Sequence, residues 1–133
     1  IASALNKLRP CAVFCSPINL LLTLHNKWYF FLKLAELGFL TCETVLIDSF
    51  EKLQSLDRDK TYALKRCYSR ASQDVIKLNS RIPLPSTLSI DSKNPWIAQH
   101  WLEGKKYCAY CVCQHGKITA YTVYPVQFSI WDS

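Results

Sequence analysis

The sequence predicts an α+β fold, a mostly antiparallel sheet with helices packed on one side. Three observations carry that prediction. Near the start, Trp28, Phe31, Leu32 and Ala35 recur at helical spacing and Gly38 follows as a stop. From Glu43 onward, short runs rich in β-branched and aromatic residues take over, separated by turn residues. Two pairs of those runs, Thr61–Arg66 with Asp74–Leu78 and Tyr107–Cys113 with Ile118–Tyr124, lie close enough to close as hairpins, which makes their strands antiparallel.

The elements follow in order. Cys11 to Cys15 (CAVFC) is a short, apolar, β-prone segment ending at Ser16-Pro17. Ser before Pro is a helix start, so Ser16 is the expected cap and Pro17 the first turn of a helix over Ile18–Leu24. Asn26 can cap a second helix from Lys27, whose Trp28, Phe31, Leu32 and Ala35 form the expected core face. Glu43–Ile47 (ETVLI) reads as a strand, and Ser49 can cap a short helix over Phe50–Leu56. Asp57 to Lys60 is a charged turn. Thr61–Arg66 is a strand with Lys65 near its end, and the loop CYSRAS leads to the strand Asp74–Leu78. Residues 79–95 are rich in Pro, Ser and Asn and read as a loop holding one strand, Thr87–Ile90. Trp96–Trp101 (WIAQHW) is a strand and LEGK a turn. The last hairpin turns over Gln114-His115-Gly116-Lys117.

Composition narrows the function classes. The chain has 133 residues, half of them hydrophobic and a fifth charged, the balance of a packed protein rather than a disordered one. The formal charge is +6, yet the 16 Lys and Arg are scattered and never run longer than Lys105-Lys106. Nucleic-acid footprints are concentrated, so no nucleic-acid partner is expected, and the phosphates of a nucleotide suit scattered cations equally well. Seven cysteines show no framework of a small secreted domain, which points to a reduced, cytoplasmic protein. The most apolar stretch is interrupted by Pro10, Pro17, Asn26, Lys27 and Lys33. It falls short of the roughly 20 residues that span a membrane, so no membrane partner is expected.

Three groups of residues could carry chemistry. The stretch YCAYCVCQHGK (107–117) contains Cys108-x-x-Cys111, the spacing of half a zinc site, but no second such pair exists. Strand alternation places Cys111 and Cys113 on one face and Cys108 on the other, so small buried side chains are the expectation and no metal is assigned. A cysteine–histidine nucleophile has little support, because no cysteine opens a predicted helix and His25, His100 and His115 lie on other elements. Lys65 stands beside a loop carrying Ser69 and Arg70. An ammonium and a guanidinium flanking a hydroxyl can neutralise phosphates, although a lysine on the solvent face of an edge strand has the same pattern.

The order of these pieces carries a resemblance. LHNKWYFFLKLAELGFLTCETVLI is similar to a family pattern in which Asn/Asp-Lys opens a helix, Gly ends it and a "P-x-T" strand follows, with Cys42-Glu43-Thr44 in that last place. TYALKRCYSRAS resembles a lysine strand and its phosphate loop. NPWIAQHWLEGKKYCAYCVCQHGKITAYTVYP resembles the hinge strand and hairpin that follow. Together, from about residue 20 to residue 128, they resemble the ATP-grasp superfamily, in particular the ATP-binding part of carbamoyl-phosphate-synthase-like proteins.

The resemblance implies an ATP-grasp-like fold: residues 1–25 end a preceding segment, 26–94 form a small subdomain, and 95–133 form the hinge and the start of a second. It implies an ATP-dependent carboxylate–amine (or similar) ligase working through an acyl phosphate, with ATP, Mg²⁺ and a small-molecule carboxylate as cofactors and partners. Lys65 and Arg70 would be catalytic. Lys27, Lys65, Ser69 and Arg70 would hold phosphates, and Gln99, His100, Trp101 and Leu102 would line adenine, the last three through backbone N–H and C=O groups. The family's magnesium-binding carboxylates fall beyond Ser133, so the chain is expected to be an incomplete part of the enzyme. Two alternatives stay open: a small basic RNA-binding or ribonuclease-like domain using the last hairpin and His115, and a noncatalytic domain of ATP-grasp ancestry. The second follows from a CYSRAS loop without glycine and from Lys106, which stands where the family has a ribose-binding Glu.

Overall fold

A computed structural model describes residues 15–70 and 74–127, together with Lys7 and Pro10. The expected Cys11–Cys15 segment lies outside the described residues except for Cys15. The chain divides between Trp101 and Leu102 into two compact units. The fold is α+β, mixed helix and antiparallel sheet, with three helices and six strands among the described residues.

The first helix, α1 (Ile18–His25), starts one residue later than a Ser16 cap requires. Pro17 has φ −54° and ψ 145°, an extended backbone that takes the cap position itself, and no side chain caps the helix. Its carbonyl accepts from Leu21 N–H at 3.1 Å, while Ser16 is displaced one residue upstream. Asn26 ends α1 and begins α2 (Lys27–Glu36). Its Oδ1 accepts from the N–H groups of Trp28 and Tyr29 at 3.0 and 3.1 Å, so one side chain satisfies two orphan donors. At the other end Gly38, at φ 74°, takes the left-handed conformation. Gly38 N–H then reaches Ala35 O and Phe39 N–H reaches Leu34 O, both at 3.0 Å, which closes the last turn.

Four strands form one sheet in the order β1-β4-β2-β3, every pair antiparallel: β1 (Thr44–Ile47), β2 (Tyr62–Arg66), β3 (Val75–Leu78) and β4 (Trp96–His100). Directly paired residues share a face, so the register assigns the two faces. Ile47, Trp96 and Arg66 align on one, as do Val45, Ala98 and Leu64. That face carries the core, with Ile47, Tyr62, Leu64, Leu78, Trp96 and Ala98 buried against Leu53 of α3 (Phe50–Gln54) and against Leu56. Each fully buried Leu or Ile there contributes roughly 1.5–3 kcal/mol relative to exposure.

The opposite face presents Thr44, Ala63, Lys65, Ile97 and Gln99, and α2 lies over it, since Phe30, Phe31 and Leu34 share a cleft with Lys65, Ile97 and Gln99. Helices therefore cover both faces, and the expectation of helices on one side is corrected. The physical reason is readable in WIA and YAL, unbroken apolar runs that give both faces something to bury. The expected core face of α2 is corrected too: no residue of α2 is fully buried, and Leu32 and Ala35 are exposed. Trp28 and Phe31 of that face are half-buried, and the residues of the helix that border the cleft are Phe30, itself exposed, with Phe31 and Leu34.

The strand expected over Thr87–Ile90 is not formed. Leu88 N–H closes a turn on Pro85 O at 3.0 Å, and Ser89 serves side chains instead of a ladder, its carbonyl accepting from Trp96 Nε1 at 2.9 Å and its Oγ from Arg66 at 3.0 Å.

The second unit is a hairpin, β5 (Tyr107–Gln114) paired with β6 (Lys117–Pro125). Its two-residue turn has φ 49° at His115 and 74° at Gly116, the twin left-handed conformations that match the twist of a tight hairpin. A bulge shifts the register between Val112 and Cys113. Among the hairpin's strand residues only Val112 is better than exposed. Cys108, Cys111 and Cys113 are thus free and exposed, which corrects their expected burial: among the described residues of this unit, nothing lies over either face of the two strands. Among the described residues, no helix is long and apolar enough to cross a membrane.

Candidate functional site

On the face covered by α2, the register sets Ala63 opposite Gln99 and Lys65 opposite Ile97, which puts Lys65 and Gln99 diagonally on neighbouring strands. Lys65 Nζ donates to Gln99 Oε1 at 2.8 Å. Gln99 Nε2 donates in turn to Thr44 Oγ1 at 3.1 Å, and that hydroxyl donates to Cys42 O at 2.9 Å. Three strands, far apart in sequence, supply one continuous chain of polar contacts.

Cys42, Lys65 and Gln99 of this chain of contacts edge a cleft of about 350 Å³. Phe30, Phe31, Leu34, Leu40 and Ile97 give it apolar walls, and Lys27, Lys65 and Gln99 give it a polar end. Burial holds the Lys65 ammonium below the usual lysine range, offset in part by the nearby Cys42. Lys27 is depressed as well, first by burial and then by the like charge of Lys65, with Cys67 and Asp74 acting in the opposite direction. The Lys65 charge thus bears on Lys27, while burial is what depresses Lys65. Among the described residues, no carboxylate lines the cleft.

Lys27 has a second task. Its Nζ donates to Ser69 O at 2.8 Å and to Ser69 Oγ at 3.1 Å, and its N–H to Cys67 O at 3.0 Å. The start of α2 is thereby tied to the loop after β2. The same loop is held by Asn94, which accepts from Tyr68 N–H at 2.9 Å and donates to Tyr68 O at 3.2 Å. Arg70 is exposed.

The structure thus brings Lys65 to Gln99 and Lys27 to Ser69, and sets Lys27, Lys65 and Gln99 around one cleft. His100, Trp101 and Leu102 do not line it. His100 N–H is bonded to Glu43 O and Trp101 N–H to Thr61 O, each at 2.9 Å. Those two donors are engaged inside the first unit. The Trp101 ring instead carries Lys77, whose Nζ lies 4.4 Å from its centroid.

The sequence reading assigned no role to Thr44 or to the apolar residues Phe30 and Leu34. Thr44 stood in the quoted Cys42-Glu43-Thr44 triplet, but only the pairing of β1 with β4 puts it opposite Gln99. Among the described residues, no group of three His, Cys, Asp or Glu converges that could hold magnesium. No protein-family profile, curated protein or solved structure matches the chain.

Proposed function

We propose that the chain is the ATP-binding part of an ATP-grasp carboxylate–amine ligase, with the Lys65 cleft receiving phosphates. The observation that carries this reading is that Lys27 and Lys65 line one apolar cleft, which no carboxylate lines among the described residues. Polyanionic phosphate is the ligand such a charge pair favours, and apolar walls beside it suit a molecule with a planar hydrophobic part. In the proposed reaction a carboxylate oxygen attacks the terminal phosphorus, ADP leaves, and an amine then displaces phosphate from the acyl phosphate. Lys65 would stabilise charge spread over the transferring group, an electrostatic role rather than acid–base work. Arg70 would act from the loop that Lys27 and Asn94 hold. Mg²⁺ belongs to the proposed chemistry, but no ligand for it is assigned within this chain.

Calorimetric titration with Mg-ATP on the wild type and on Lys65→Ala tests the proposal. The expected result is binding by the wild type, weakened at least tenfold by the substitution, the order expected for losing a charge-assisted contact. No heat with the wild type would contradict the proposal.

One observation favours a second reading, RNA binding. Tyr107, Tyr110, Tyr121 and Tyr124 of the hairpin are each at least half exposed, close in sequence to Lys105, Lys106 and Lys117. Aromatic faces among cations are how single strands are held. This reading predicts salt-sensitive RNA binding that His115→Ala impairs and Lys65→Ala leaves intact.

A further inference from the structure

We infer that Thr44 is a positioning residue for Lys65, acting through the side-chain amide of Gln99; its consequence for ligand binding rests on the function proposed above. The chain of contacts is directional, and its two ends fix everything between them. At one end the Lys65 ammonium has only protons to give, so the amide oxygen of Gln99 must face it. At the other end the Cys42 carbonyl can only accept, so the Thr44 hydroxyl must point its proton there. What remains toward Gln99 is a lone pair on Thr44 Oγ1, which suits the amide nitrogen and no other orientation of that amide.

A rotated Gln99 would place its NH₂ against the ammonium and its oxygen against the hydroxyl oxygen, losing both contacts at once. Thr44 is buried, with 9% of its surface exposed, so water is poorly placed to substitute for its hydroxyl. The contact between Lys65 and Gln99 is neutral on the acceptor side. Other titratable groups facing Lys65 are Lys27, on α2, and Cys42, on the segment leading into β1. A carboxylate in place of Gln99 would lock Lys65 in an ion pair. An oriented amide holds the ammonium in position while leaving its charge free for an entering phosphate.

The test is a ¹³Cε titration of Lys65 in the wild type, Thr44→Val and Thr44→Ser, followed by Mg-ATP binding to each. Valine keeps the shape and removes the hydroxyl, so the Lys65 midpoint should fall by about one pH unit, the size expected for loosening a hydrogen bond to a charged group. Serine restores the hydroxyl and should restore the midpoint. ATP affinity should fall about three- to tenfold in Thr44→Val and recover in Thr44→Ser. A Lys65 midpoint unchanged in Thr44→Val overturns the inference. If the valine variant does not fold, the wild type decides. The Gln99 NH₂ protons should show cross-peaks to Thr44 and slow exchange, whereas cross-peaks to the Lys65 methylene beside the ammonium would refute the orientation. Failure of the wild type to bind ATP removes the proposed function but leaves the Lys65 titration to stand or fall by itself.

Discussion

At the scale of single residues, the site is governed by what burial does to two lysines. Between the depressed value of Lys65 and the ordinary 10.5 of a lysine, the folded chain has released a proton that the unfolded chain still holds. Stability contributed at this position therefore rises with pH across that window, and below it the full cost of burying the charge remains. Lys27, depressed for the same first reason, acts in the same direction. Denaturation of the wild type and Lys65→Met should show the wild type gaining on the variant as pH rises through the alkaline range; a constant difference would contradict this. Phosphate binding should run the other way and weaken over the same window, because the ammonium is the binding form. How much of this was legible in the sequence differs by residue. Lys65, Ser69 and Gln99 were nameable because they stand in ordered stretches. Thr44 was not, since a threonine on a strand reads the same whether its hydroxyl meets water or a buried amide.

At the scale of elements, local chemistry was readable wherever it is self-contained. Asn26 as a cap, Gly38 as a stop and His115-Gly116 as a tight turn depend on only a few neighbouring residues, and each is formed. The failures came where a distant partner decides. Ser16 lost its cap to an extended Pro17, and Thr87–Ile90 gave its polar groups to Arg66 and Trp96 instead of to a neighbouring strand. The inward row of α2 was misjudged because helical periodicity identifies a stripe but not what stands opposite it. Asn26→Ala removes the acceptor for two N–H groups at the start of α2 and should cost about 1 kcal/mol of stability. Because Lys27 follows directly and ties down Ser69, the same substitution should also speed amide exchange at Cys67 to Ser69. A chemical denaturation curve and exchange measurements check both, and an unchanged midpoint would mean that the cap contributes nothing.

At the scale of the whole molecule, burial is unevenly shared between the two units. The first has a core in which Ile47 and Leu78 are 0% exposed and Leu64 is 1%, whereas the second is a two-stranded hairpin with exposed tyrosines and cysteines. Isolated two-stranded hairpins are at best marginally stable in water. Amide exchange should accordingly be slowest in β4 and β2, where each strand has neighbours on both sides, and fastest in β5 and β6. Equal protection in both units would contradict this division. The fold class was legible because alternation and hairpin spacing are local signals, but the covering of both sheet faces depends on how WIA and YAL meet in the sheet. The proposed function requires that the Lys65 cleft take the phosphates of a nucleotide. Lysine ¹³Cε spectra recorded while a non-hydrolysable ATP analogue is added test it most directly. The Lys27 and Lys65 signals should move together and saturate, while those of Lys105, Lys106 and Lys117 shift less. Signals that stay in place at Lys27 and Lys65, or shifts confined to the lysines of the hairpin unit, would contradict it.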